Sequence, residues 1–71
     1  MFIFTITKPT AANYTPASLV IEWAKQHSIA YHRNKYGELI ILLDTPYIYD
    51  HWNIADNGDG TESVTIFLIE A

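Results

Sequence analysis

The segment that decides the fold is TPASLVIEWAKQH, residues 15 to 27. Thr15 followed by Pro16 is typical of a helix start, because a threonine side chain accepts a free backbone N–H and proline at the first helical position has none to satisfy. Apolar residues then recur at helical spacing, at Leu19, Val20, Trp23 and Ala24. We therefore predict a helix from Pro16 to about His27, with Trp23 as its main anchor in the core.

Strand-like segments flank this helix. Phe2 to Thr7 precedes it and is dense in β-branched and aromatic residues, and Lys8-Pro9 ends the run. Four further strand candidates follow the helix, at 29–33, 38–43, 47–54 and 61–69, separated by turn-rich segments. The third of these alternates loosely and predicts a strand with an irregular start. The sequence thus predicts an α+β fold, one helix packed on a mostly antiparallel four- to five-stranded sheet, in the order β-α-β-β-β-β.

Length and composition indicate a single small domain over residues 1–71. Of the 71 residues 49% are hydrophobic, which is typical of a folded chain, and there is no cysteine to form a disulfide or a thiolate metal site. The run from Met1 to Ile6 lacks the basic flank of a signal peptide, and no stretch approaches the ~20 apolar residues of a membrane span. We expect a cytoplasmic protein that does not enter a membrane.

Two of the predicted strands are apolar on both faces. Leu39 to Leu43 and Val64 to Ile69 carry apolar side chains at nearly every position, whereas a single helix can cover only one face of a sheet. We expect the other apolar set to meet a second subunit, another protein, or a fold-back of Thr45 to Ile54. A homodimer formed through the uncovered sheet face is therefore one hypothesis for this chain.

Charge is distributed unevenly along the sequence. Residues 1–35 hold all four basic side chains and one acid, which gives 4 − 1 = +3, whereas residues 36–71 hold seven acids and no base, which gives 0 − 7 = −7, for the total of −4. An acidic surface repels nucleic-acid phosphates and attracts basic proteins. We expect a basic protein surface as partner and no direct binding of nucleic acid. The alternative is that these acids merely lie in the solvent-exposed turns of the domain and bind no partner.

Aromatic residues are interleaved with the acids of the second half. Tyrosine and tryptophan are enriched at binding hot spots, because they bury a large area at a low cost in side-chain entropy. Packing in the core is the alternative interpretation of the same aromatic cluster. The candidate partner-binding residues are Asp44, Tyr47, Tyr49, Asp50, Trp52, Asp56, Asp59 and Glu62.

Catalysis finds little support in the sequence. His27, His32 and His51 are too scattered for a metal signature, and Asp50 and His51, as neighbours on a strand, point to opposite faces. The stretch 56–62 is superficially like a calcium loop but lacks the EF-hand spacing. We expect no catalytic residues, no metal and no cofactor, and therefore no enzyme.

The functional hypothesis is a non-enzymatic binding protein whose acidic second half docks on a basic protein surface, as a small inhibitor or adaptor of a nucleic-acid-handling protein. Small acidic α+β inhibitors of nucleic-acid-handling enzymes, including those carried by phages, are similar to this chain in size and charge. That likeness is one of composition and transfers no residue. The alternative hypothesis is a self-associating structural module.

Overall fold

The computed structural model describes residues 1–71 and contains one helix and five strands. The elements are β1 (Phe2–Pro9), α1 (Pro16–Gln26), β2 (Tyr31–Arg33), β3 (Leu39–Leu42), β4 (Pro46–Asp56) and β5 (Thr61–Glu70). All strands join one antiparallel sheet in the order β1-β5-β4-β3-β2. The predicted α+β class and the predicted order of elements are confirmed.

The helix begins where the sequence predicts. The Thr15 hydroxyl accepts the backbone N–H of Ser18 at 3.2 Å, and the Ser18 hydroxyl accepts the backbone N–H of Thr15 at 2.9 Å, a reciprocal capping box. The helix ends at Gln26, and Ser28 then adopts a φ of 56°, in the left-handed region that terminates helices. Side-chain hydrogen bonds therefore fix the start of α1, and backbone conformation marks its end.

Strand β4 is longer than its sequence predicts. It pairs with β5 from Tyr47 to Asp56, with one irregularity in register between Tyr49 and His51. Asp50 is the extra residue of this bulge, so the irregularity lies inside the strand and not at its start. The segment Thr45 to Ile54 therefore does not fold back over either face of the sheet: Thr45 lies in the turn before β4, and the rest belongs to the strand.

The single helix covers only one face because of how the chain crosses the sheet. β1 and β2 are the two edge strands, and α1 connects them, so the chain must pass over the three central strands on one side. We call that side the helix face and the opposite side the open face. The core lies between α1 and the helix face and comprises Phe4, Leu19, Val20, Trp23, Ala24, Ile41, Tyr47, Val64, Ile66 and Leu68.

Trp23 holds the helix to the sheet. Its ring stacks on that of Phe4, with centroids 4.4 Å apart and planes 9° apart, and a second β1 ring, that of Phe2, lies 5.3 Å away in a tilted arrangement. The residue is only 7% exposed, which confirms the predicted anchor. Aromatic stacking adds to the burial of apolar area, so this contact is the main tie between α1 and β1.

Replacing Trp23 with alanine should lower the free energy of unfolding by about 3–5 kcal/mol, because it leaves a large cavity against β1. A domain of this size has about 4–10 kcal/mol in total, so the variant should melt at a far lower temperature or fail to fold. Lys25→Ala, an exposed position on the same helix, is the control and should change stability little. Urea unfolding followed by circular dichroism measures both; equal midpoints for the two variants would contradict this packing.

Candidate functional site

The predicted partner-binding residues follow β4 and the turns at its two ends. Asp44 and Tyr47 lie at the start of β4, whereas Asp56 and Asp59 lie at its far end and in the turn beyond. Eleven extended residues span about 35 Å. The structure therefore does not gather the eight residues into one surface, and only Asp56, Asp59 and Glu62 are close in the chain and in the sheet. We call these three residues the acidic tip.

The backbone of the acidic tip is held by hydrogen bonds to its own carboxylates. One oxygen of Asp56 accepts the backbone N–H of Gly58 at 2.9 Å. One oxygen of Asp59 accepts the backbone N–H of Thr61 at 3.1 Å and the Thr61 hydroxyl at 2.5 Å. Gly58 and Gly60 have φ values of 78° and 86°, which other residues adopt with strain. The tip is therefore a turn that places two carboxylates with backbone support.

The Thr61 hydroxyl, and after it the Thr61 backbone N–H, hold the pKa of the Asp59 carboxyl below its ordinary value. Both donors favour the charged form, because a hydrogen bond to a carboxylate oxygen is lost or weakened on protonation. Asp59 is fully exposed to solvent. Its negative charge thus persists to a lower pH than that of an unsupported aspartate.

The carboxylates of the acidic tip are bound only by neutral donors. Glu62 lies opposite Asp56 in the sheet and accepts a hydrogen bond from the Tyr14 hydroxyl. Lys8 lies opposite Glu62 on the neighbouring strand β1, but the Lys8 ammonium binds Glu22 at 2.5 Å. The Asp50 carboxylate lies 2.7 Å from Nδ1 of its neighbour His51 and is hydrogen-bonded to it, so the bulge brings these two side chains to one face and the expectation that they point to opposite faces is wrong. No cation therefore neutralises the acidic tip.

The predicted aromatic cluster separates into core and surface. Tyr47 is 9% exposed and belongs to the core, so its predicted place at an interface is replaced by packing against Phe2, whose ring lies 6.4 Å away. Trp52 is half-buried and meets the Tyr14 ring edge-on at 5.8 Å. Tyr49 is 37% exposed. Alternation along β4, shifted by one residue at the Asp50 bulge, places Tyr47, Tyr49 and Trp52 on the helix face. Exposure on this face rises along β4 toward the acidic tip.

A cleft that the sequence analysis does not predict lies between the start of α1 and strands β3 and β4. Its volume is about 390 Å³, and its apolar lining includes Pro16, Val20, Leu39 and Tyr49. Arg33 and Glu38 contribute opposite charges to the same lining. These residues come from elements that are distant in the sequence, so no local motif could have revealed the cleft. Of the predicted partner-binding residues, only Tyr49 lines it.

The open face is the second surface of note. Side chains alternate along each strand, and the register places on this face the residues Ile3, Thr5, Thr7, Pro9, His32, Ile40, Leu42, Pro46, Ile48, His51, Asn53, Ala55, Thr61, Ser63, Thr65, Phe67 and Ile69. The Thr5 and Thr65 hydroxyls lie 3.1 Å apart on it, and the His51 ring stacks on that of Phe67 at 4.1 Å. None of these positions is Asp, Glu, Lys or Arg.

Comparisons with known proteins give no relative from which a function could be transferred. No protein-family model matches the sequence, and no curated protein or solved structure matches it either. Within the structure, no three His, Asp or Glu side chains lie close enough together to hold a metal ion. No helix has the length and apolar character needed to cross a membrane.

Replacing Thr61 with valine should raise the pKa of the Asp59 carboxyl, because the hydroxyl is the main group that lowers it. Thr61→Ser keeps the hydroxyl and should leave that pKa low. Any stability that Asp59 contributes is present above its unfolded pKa and disappears as the pH falls through its folded pKa, so the valine variant should lose it at a higher pH. Carbon-detected NMR titration of the Asp59 side chain measures the pKa; equal values in both variants would refute this origin.

Proposed function

We propose that the protein is a non-enzymatic binding protein that docks its acidic second half, through the acidic tip, on a basic protein surface. The carrying observation is that Asp56, Asp59 and Glu62 lie together and are held by neutral donors, with no Lys or Arg paired to them. An acidic group that is fixed in place but not neutralised keeps its field for an incoming cation.

The nature of the partner follows from the sign of this field. A protein that handles nucleic acid needs a basic surface to bind phosphates, and an acidic tip of fixed geometry can compete for that surface. We therefore propose the role of a small inhibitor or adaptor of such a protein, with the cytoplasm as its expected location. The half-buried Trp52, four residues before Asp56 on β4, is the aromatic anchor next to the acids.

The remaining predicted residues contribute less to this docking surface. Asp44 lies at the opposite end of β4, and the Asp50 carboxylate is engaged by His51. Tyr47 is in the core and, at 9% exposure, offers little contact area to a partner. We keep Tyr49 as a contact only for a partner that also reaches the cleft beside it.

Charge reversal tests the proposal with a matched control. Asp56→Lys should slow association with the basic partner by about 2–10-fold, and the rate should fall as ionic strength rises, because exposed charges are screened over about 8–10 Å near physiological salt. Asp44→Lys is the control: it makes the same change in net charge and also removes a carboxylate that accepts a turn N–H, at the other end of β4.

The measurement begins with affinity capture on the immobilised chain and mass spectrometry, followed by surface plasmon resonance with the captured protein. A basic protein that is retained by the wild type and by Asp44→Lys, and is bound more slowly by Asp56→Lys, supports the proposal. Association rates that are equal for the two variants, or independent of salt, would count against the acidic tip as the docking surface.

A further inference from the structure

The open face is a large surface that carries a single charged residue, Asp50. The sequence has twelve residues that are Asp, Glu, Lys or Arg, counted as eight acids and four bases, and eleven of them lie on α1, in turns or on the helix side of the strands. The solvent-exposed face of an antiparallel sheet ordinarily carries polar side chains. The one charged residue at the open face is Asp50, which the bulge brings to this side and whose carboxylate is hydrogen-bonded to His51 at 2.7 Å.

One half of the open face is apolar. Ile3 is 52% exposed and Leu42 is 39% exposed, although both lie within strands of the sheet. Between Ile3 and Leu42 lie three half-buried residues, Phe67, Ile69 and Ile48, and the buried Ile40. Only neighbouring side chains of the same face shield them from solvent. No helix or loop of the chain covers them, since α1 packs on the other face. The other half carries hydroxyls and an amide, at Thr5, Thr7, Asn53, Ser63 and Thr65.

We propose that the open face binds the open face of a second copy of this chain, in a two-fold symmetric sandwich. Two sheets pack face to face about 10 Å apart when both inner faces are apolar. A two-fold axis brings the same patch of each copy together, so a charged side chain on the patch would approach the same side chain of the other copy and repel it. Asp50 is the only charged residue at this face, and its carboxylate is already hydrogen-bonded to His51, so the rest of the face can meet its copy without charge repulsion. The hydroxyls of its polar half can pair with those of the other copy.

The area of the face suits a dimer of moderate affinity. With strands about 4.8 Å apart and a rise of about 3.3 Å per residue, the five strands present a flat area of about 600 Å² per copy, or about 1,200 Å² for two copies. That lies at the lower end of specific, stable interfaces, which bury about 1,200–2,000 Å² in total. We therefore expect association in the micromolar range and not a permanent dimer.

A second copy fits this face better than the basic partner of the proposed function. A basic surface docked here would desolvate its Lys and Arg side chains against a face whose only carboxylate, that of Asp50, is already hydrogen-bonded to His51, which is unfavourable. The acidic tip lies at the end of the β4–β5 hairpin and remains outside the sandwich. The dimer therefore goes beyond the proposed function and does not depend on it.

Sedimentation equilibrium of the full chain from about 1 to 300 µM tests the proposal with a matched pair of substitutions. Ile3→Lys adds a charge to the open face and should weaken dimerisation at least ~10-fold. Ile54→Lys makes the same substitution at a position 43% exposed on the helix face, and should leave the dissociation constant within about twofold. The wild type should reach twice the 8.1 kDa chain mass at high concentration.

Several results would overturn the dimer: a wild type that stays monomeric throughout, equal dimerisation in wild type and Ile3→Lys, or equal losses in both lysine variants. If Ile3→Lys is unfolded by circular dichroism, the exposed Thr5→Lys replaces it under the same criteria. A monomeric wild type whose capture of a partner is lost in Ile3→Lys assigns the face to that partner instead. Asp56→Lys should dimerise normally, so failure of the dimer is distinguishable from failure of the proposed docking.

Discussion

The stack of Trp23 on Phe4 is the contact on which the rest of this structure depends. A chain of 71 residues without cysteine must be held by one small core, and that core exists only while α1 lies on the sheet. The stack joins the helix to the edge strand β1, and β1 in turn pairs with β5 over eight positions. The first and last strands of the chain are thereby tied to the helix between them.

The same arrangement leaves the sheet with two unlike faces. Because α1 links the two edge strands, it crosses one face and none of the chain is left to cross the other. The open face carries hydroxyls at one end and mutually packed Ile40, Ile48 and Phe67 at the other, and its one charged residue, Asp50, is hydrogen-bonded to His51. The other charged residues lie in turns, on α1 or on the helix side of the strands, so the molecule separates a nearly neutral surface from an acidic one.

The acidic tip shows how a local turn can supply a persistent charge. Aspartates next to glycines are common in tight turns, because their side chains accept backbone N–H groups and so support the bend. Here the same hydrogen bonds, first that of the Thr61 hydroxyl and then that of the Thr61 backbone N–H, lower the pKa of Asp59. A residue that is explained completely by turn geometry therefore also serves the electrostatics of the surface, and the two interpretations of these acids are compatible.

The sequence by itself determined what short-range chemistry controls. Thr15-Pro16 sets the start of α1, the spacing of Leu19, Val20, Trp23 and Ala24 sets its buried side, and the glycine-rich turn before Thr61 separates β4 from β5. Tertiary structure alone decided the strand order, the bulge at Asp50, the burial of Tyr47, the cleft beside Tyr49 and the separation of Asp44 from the acidic tip. These depend on which distant strands pair and in which register, and alternation within one strand carries no information about the identity of its neighbour.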